Sequence, residues 1–215
     1  KASPSPEDEL CIDLKNVNLD YIFQTLEINN ALLGGDATGT LYASQLFSKS
    51  PVAFTNDLKV KNISYNGTVL GNAAIKAHWD NERLAAHLDA IVSQDNGNKS
   101  YIYGDIFPTK EALDITFEAN EIKVGFMKPY MAAFASDVDG FASGKARLFG
   151  TFKYIDLEGD IYAKDLKLKI DFTDTYYSAT DSIHIRPGII DIKDVTLRDV
   201  NGNTALLNGW VKHKF

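Results

Sequence analysis

Along most of the chain apolar and polar residues alternate with a period of two, the repeat of a half-buried β-strand. Leu84, Ala86, Leu88, Ala90 and Val92 form one row, and Leu113, Ile115, Phe117 and Ala119 another. Ile155, Leu157, Gly159, Ile161 and Ala163 continue into Leu166, Leu168, Ile170 and Phe172, with Asp165, Lys167, Lys169 and Asp171 opposite. Each predicted strand thus has one oily and one wet face, as in antiparallel sheets. Turn signals separate the rows: Asn66-Gly67, Asp80-Asn81, Asn96-Gly97-Asn98, Pro187-Gly188 and Asn201-Gly202-Asn203. Strands and turns at this spacing predict a mainly β sandwich, barrel or solenoid, and exclude alternating α/β.

Two segments break the alternation. Leu19, Ile22, Phe23 and Leu26 fall at helical spacing, as do Val124, Met127, Met131 and Phe134, with Pro129 tolerable near a first turn; they predict two short helices. Their positions suggest a repeat. At an offset of 105, Leu19, Ile22 and Leu26 map onto Val124, Met127 and Met131, and Ala37-Thr38-Gly39 onto Ala142-Ser143-Gly144; Asp57-Leu58-Lys59-Val60-Lys61 maps onto Asp165-Leu166-Lys167-Leu168-Lys169 at 108. A repeat favours an elongated, stacked sheet over a closed barrel. The expected organisation is a leader or linker over 1–11, carrying Pro4 and Pro6, then β-rich units over 12–119 and 120–215 that stack as one domain.

Composition agrees. Asp (21) and Asn (15) far outnumber Glu (8) and Gln (3), favouring turns over helix interiors, and Ile (18), Val (10), Thr (13) and 24 aromatics favour strands. A net charge of −7 argues against nucleic acid as the partner, and no apolar run approaches the roughly 18 residues of a membrane span. Cys11, the single cysteine, cannot form an internal disulfide.

Catalytic and metal signatures are missing. Gly140-Phe141-Ala142-Ser143-Gly144-Lys145-Ala146 falls one residue short of a phosphate loop and has Ala146 where a magnesium-binding hydroxyl is needed. His78, His87, His184 and His213 lack metal-ligand spacing, and no GxSxG elbow occurs. Two facing carboxylates could make a glycosidase, but Asp137, Asp139, Asp174, Asp181 and Asp199 sit where turn chemistry accounts for them. Asn62-Ile63-Ser64, Asn66-Gly67-Thr68 and Asn98-Lys99-Ser100 are glycosylation sequons only in a secretory setting. No catalytic residue, metal or cofactor is expected.

The informative feature is the oily face. Leu113, Ile115, Phe117, Ile155, Leu157, Ile161, Leu166, Leu168, Ile170, Ile190, Ile192, Val195, Leu197, Leu207 and Val211 must be buried against something. Either they fill a core between this sheet, a facing sheet and the helices, or they line a curved trough with room for an acyl chain. A scaffold that binds envelope proteins or glycans through exposed aromatics (Trp79, Tyr101, Tyr103, Tyr176, Tyr177 and Trp210) is the alternative function.

The phrases Asp181-Ser182-Ile183-His184-Ile185, Leu197-Arg198-Asp199-Val200-Asn201-Gly202-Asn203-Thr204-Ala205 and Leu207-Asn208-Gly209-Trp210-Val211 resemble the TamB-like (AsmA-related) translocation and assembly module family of Bacteroidetes. So do Asp139-Gly140-Phe141-Ala142-Ser143-Gly144, Leu148-Phe149-Gly150 and Leu157-Glu158-Gly159. The resemblance is clearest over 120–215 and looser over 12–119. It implies a periplasmic segment of a protein anchored in the inner membrane, with a curved, taco- or solenoid-like antiparallel sheet. The apolar trough of such a sheet carries phospholipid acyl chains between the membranes and supports outer-membrane protein assembly. Phospholipid acyl chains and an outer-membrane assembly protein are the partners it implies.

Overall fold

In the computed structural model, which describes residues 5, 7–25, 33–45, 47 and 52–212, all twelve strands join one antiparallel sheet in sequence order. They are β1 (Glu9–Asn18), β2 (Leu33–Ser44), β3 (Val52–Tyr65), β4 (Thr68–Asp80), β5 (Ala85–Ser93) and β6 (Lys99–Phe107), then β7 (Ala112–Lys123), β8 (Ala135–Thr151), β9 (Tyr154–Ile170), β10 (Thr175–Arg186), β11 (Ile189–Asp199) and β12 (Thr204–Lys212). β1 and β12 are the open edges, so the sheet is neither a barrel nor one half of a sandwich. The protein is mainly β, as the alternation predicts.

The turn signals do what their chemistry dictates. Asn66 and Gly67 take φ of 47° and 74°, the pair of positive values that lets a two-residue hairpin follow the strand twist. Leu84, read as the start of a strand row, instead sits in the β4–β5 turn with φ of 52°, while Ala86 to Val92 keep their alternation in β5.

The first helix forms where predicted and the second is smaller. α1 (Leu19–Thr25) starts where the Asn18 side chain accepts the Tyr21 N–H at 2.9 Å, an N-cap; Leu26 lies outside the described residues. The second stripe yields a 3₁₀ turn over Gly125–Met127 and a single α-turn, α2 (Lys128–Met131), and leaves Phe134 exposed. No side chain caps α2. The segment closes one end of the sheet: Asn66 Nδ2 donates to the Phe126 carbonyl at 3.0 Å, and the Tyr65 and Tyr130 hydroxyls bond to each other. Burial and that bond push the Tyr65 hydroxyl up to about 12.

The strand order of β1–β6 recurs in β7–β12. β6 and β12 are both nine residues long and lie 105 residues apart, and so do the hairpin turns before them. In these turns the Gln94 N–H donates to the Asn98 carbonyl at 2.9 Å and the Asp199 N–H to the Asn203 carbonyl at 3.0 Å. Gly35 and Gly140, also 105 apart, both have φ of 122°. A Cβ on Gly35 would lie nearest the Lys61 carbonyl and one on Gly140 nearest the Asp165 carbonyl, both at 2.7 Å. The expected boundary at 119/120 falls inside β7, and Glu9 to Cys11, read as leader, pair with Ser44 to Tyr42.

The sheet is curled. Cα atoms of β4 and β7 come within 8 Å, although strands three apart in a flat sheet stand about 14 Å apart. The accessible surface is 13209 Å², against about 9,900 Å² for a compact protein of this mass. The largest side chains that are wholly buried are Val60 and Val92. A 215-residue chain with a two-layer core would bury leucines and phenylalanines.

Candidate functional site

Register fixes which side chains share a face, because directly paired residues of antiparallel strands point the same way. Leu113 pairs with Gly150, Ile115 with Leu148 and Phe117 with Ala146; Gly150, Leu148 and Gly144 pair in turn with Ile155, Leu157 and Ile161. Tyr177 pairs with Leu168, Ala179 with Leu166 and Ile183 with Ile161. Beyond β10, Ile190 pairs with Val211 and Val195 with Leu207. Followed across β7–β12, all fifteen residues read as trough-lining lie on one face.

Alternation alone would not keep them there. A one-residue slip moves every later side chain to the opposite face, and the sequence slips between Ala163 and Leu166 and again between Ile192 and Val195. β-Bulges correct both. Asp165 and Asp194 take φ of 51° and 55° and absorb the extra residue. Asn16, Asn62 and Glu121 do the same on β1, β3 and β7 with φ of 49° to 51°. Each of these five residues donates its backbone N–H to a side chain on the following strand. Asn16 donates to Thr38 Oγ1 at 3.1 Å, Asn62 to Asn72 Oδ1 at 3.1 Å and Glu121 to Ser143 Oγ at 2.8 Å. Asp165 donates to Thr180 Oγ1 at 3.0 Å and Asp194 to Asn208 Oδ1 at 2.8 Å. Each such bulge bends its strand and increases the local twist.

Glycines in the apolar rows let the strands close up. A Cβ on Gly104 would lie 2.1 Å from the Asp114 carbonyl oxygen, and one on Gly144 2.2 Å from that of Asp160; both have φ near +140°. Gly140 to Ala146, which resembles a phosphate loop in sequence, is therefore extended strand inside β8.

Of the fifteen residues, Ile115 and Val195 are buried, Leu207 and Val211 are exposed on the edge strand, and the other eleven are half-buried. No second sheet covers them among the described residues. Among the described residues the facing-sheet core considered from sequence is thus absent, and the row forms an apolar surface that no second sheet covers. Sequence reasoning missed its continuation: Ile75, Leu88, Ile102, Ile106, Ile183 and Ile185 share the face by register. Their alternation was equally visible, though shorter or broken by Gly104.

The opposite face is polar and tied by cross-strand ion pairs. Arg147 forks onto Asp114 at 2.7 and 2.8 Å and reaches Glu158 at 3.1 Å. These bonds hold the Asp114 carboxyl below the usual range and raise the guanidinium. Lys145 bonds the Tyr103 hydroxyl and Glu118, both at 2.9 Å, and Lys164 pairs with Glu121. Arg83 and His87 hold opposite oxygens of Asp105 at 2.6 and 2.8 Å, and His78 packs on His87 with ring centroids 5.0 Å apart. His184 meets Asp160 here too, and His213 lies outside the described residues. A hollow of about 370 Å³ on this face is lined by Lys167, Ser178, Thr180, Thr196 and Arg198, with Asp165 and Ala179 beside them.

The six aromatics of the alternative reading do not form one patch. Register places Trp79 and Tyr177 on the apolar face and Tyr101, Tyr103, Tyr176 and Trp210 on the polar one. Tyr103 is occupied by Glu118 and Lys145, and the Tyr176 hydroxyl donates to Asp137 at 3.3 Å. No group of three or more His, Cys, Asp or Glu among the described residues could hold a metal, and no described helix could cross a membrane. Comparison with protein-family models, curated proteins and solved structures gives no match.

Proposed function

We propose that the apolar face of β7–β12 is a cradle for phospholipid acyl chains. The chain is then a non-catalytic, periplasmic segment of a TamB-like protein, anchored in the inner membrane, that carries lipid acyl chains between the inner and outer membranes and supports outer-membrane assembly. The observation that carries this reading is the fifteen aliphatic and aromatic side chains, mostly half-buried, that share one face of a one-layer sheet with no second sheet over it among the described residues.

Energetics favour such an occupant. Exposing an acyl chain of roughly 15 methylenes to water costs on the order of 12 kcal/mol, at about 0.8 kcal/mol each. Laying it on a preformed apolar row recovers much of that and shields the protein's own half-exposed leucines. A charged headgroup can stay at the open rim in water. Such a surface lowers a barrier without giving direction; gradient or partners must supply that.

The test is to purify the chain without detergent and identify bound lipid by mass spectrometry, with a photo-reactive residue at Ile161 and a control at Tyr162 on the polar face. Lipid adducts at Ile161 and not at Tyr162 are expected. Lipid-free protein, or equal labelling at both positions, overturns the reading.

A further inference from the structure

We infer that the hollow on the polar face is a binding site for the phosphate monoester of a small polyol. It lies on the side opposite the apolar row and does not depend on the acyl-chain reading.

Register builds the hollow from six side chains on three neighbouring inner strands. Lys167 on β9 pairs with Ser178 on β10, and Ser178 with Arg198 on β11, so the three form one row across the sheet. Asp165, Thr180 and Thr196 lie two residues away along the same strands and make a second row, and all six line the hollow of about 370 Å³. The backbones carrying the two cations stand about 10 Å apart, two strand spacings of roughly 4.8 Å, with the short Ser178 between them. Both long side chains can therefore close on one anion.

Charge pairing sets these cations apart from their neighbours. On the same face Lys145, Arg147, Lys164 and Lys169 each meet a carboxylate. Lys167 and Arg198 make no ion pair among the described residues, although Asp139 is the register partner of Lys167 on β8. Arg198 Nη1 reaches the Gly202 carbonyl at 3.4 Å, and its other N–H groups stay free. An ammonium and a guanidinium without carboxylates hold their donors ready for an oxyanion, and the guanidinium can engage two of its oxygens at once.

The hydroxyls agree. Thr180 Oγ1 accepts the Asp165 N–H at 3.0 Å, so its own proton is left to donate into the hollow. The Thr196 hydroxyl makes no hydrogen bond among the described residues and adds a second donor. Ser178, half-buried between the cations, donates to the Arg198 carbonyl at 3.3 Å and forms the floor.

Asp165 narrows the ligand class. Its carboxylate makes no side-chain hydrogen bond among the described residues; it repels a bare phosphate but accepts from a hydroxyl. The volume matches the smallest ligand pockets, which start at roughly 300 Å³, so there is room for a phosphate and a short polyol. A phosphate on the Lys167–Arg198 row, with ligand hydroxyls on the Asp165–Thr196 row, satisfies every one of these groups.

The test follows amide shifts of isotope-labelled protein titrated with glycerol phosphate, inorganic phosphate or glycerol. Saturable shifts at Thr180 and Thr196 are expected with glycerol phosphate, weaker binding with inorganic phosphate and none with glycerol. Lys167→Gln with Arg198→Gln should weaken binding about tenfold or more at an unchanged melting temperature, whereas the charge-matched Lys123→Gln with Lys193→Gln should leave it intact. Asp165→Asn, well suited to a φ of 51°, should erase the preference for glycerol phosphate over inorganic phosphate. Sedimentation with phosphatidylcholine vesicles carrying phosphatidylinositol phosphate separates the sources. Binding there that the Lys167/Arg198 variant abolishes assigns the site to a lipid headgroup, and binding of glycerol phosphate alone assigns it to a soluble ester. Binding of neither probe, or equal loss in the two double variants, overturns the inference, and a preference that survives Asp165→Asn overturns the polyol assignment.

Discussion

The two six-stranded halves share strand order and hairpin chemistry, yet they use their apolar face differently. In β1–β6, Ala37, Val60, Ala73 and Val92 form a cluster at 0–5% exposure, with Leu14, Leu58, Ile75 and Ile102 packed against it. In β7–β12 the apolar row stays half-buried. Side-chain size at inward positions accounts for the difference. β4 and β5 present Ala73, Ala77, Ala86 and Ala90 on that face, so the sheet can curl until neighbouring strands cover the small side chains. β9 presents Ile155, Leu157, Ile161, Leu166, Leu168 and Ile170, too bulky to be covered by a single layer that bends only at its bulges and glycines. One architecture thus gives a closed seam where inward residues are small and an open shelf where they are large.

Placing the same charge in each half should break or confirm that contrast most sharply. Val60→Asp puts an unpaired carboxylate at a site 1% exposed and should cost about 3 kcal/mol or more, enough to unfold the chain. Leu168→Asp, on the shelf, leaves its charge in reach of water; the chain should fold, melt within a few degrees of the natural sequence and lose bound lipid. Circular dichroism melts of the two variants check this, and equal loss of fold would make the shelf a core.

The next largest effect compares one position across the halves. Gly104→Ala meets both the Asp114 carbonyl and a φ of 146°, so a loss of about 2–4 kcal/mol is expected from strain and overpacking together. Gly209→Ala, its partner 105 residues on, should be neutral within about 0.5 kcal/mol. Urea unfolding measures both.

How far the sequence exposed this arrangement depends on the length scale. Alternation such as Leu113-x-Ile115-x-Phe117 is local, so the strands, their turns and the oily rows were legible. That rows from six strands land on one face was not, because it depends on where each bulge sits. The five bulge residues are Asn, Asp or Glu, ordinary in any β protein, and their Ser, Thr and Asn partners lie 10 to 22 residues away. Periodicity also overran at the second helix, where Met127, Met131 and Phe134 have helical spacing but the link between adjacent strands leaves room for one turn. The absence of a covering layer had no local signal.

Smaller effects test the bulges themselves. Thr38→Ala and Ser143→Ala each remove the acceptor of a bulge N–H, at equivalent places in the closed and open halves. Each should cost about 1 kcal/mol in denaturant unfolding. Ser143→Ala should be the costlier, because the Glu121–Ser143 bond is part-buried and leaves an N–H with less water to replace its partner, while the Asn16–Thr38 bond is exposed. Equal costs would mean that water reaches both bulges alike.

The smallest expected effect separates the polar faces of the halves by pH. The Arg147 fork lowers the Asp114 carboxyl from its ordinary value, so the folded chain binds that proton less readily than the unfolded one. The resulting stability is fully present above the unfolded pKa of about 4 and drains away as pH falls through the lower folded value. Glu118, lowered by bonds from Tyr103 and Lys145, and Glu121, lowered by Lys164, act with the same sign farther along the same strand, β7. The melting temperature should therefore drop between about pH 5 and 3, and Arg147→Ala should flatten part of the slope while lowering the plateau. Arg147 and Asp114 are 45% and 41% exposed, so solvent screens the pair: the plateau should fall by only a degree or two, and added salt should shrink the gap between the variant and the natural chain. A slope unchanged by Arg147→Ala would assign the acid sensitivity to the other lowered carboxyls: Glu118, Glu121, Asp174 and Asp199 in the second half, or Asp80, lowered by the Arg83 backbone N–H, in the first.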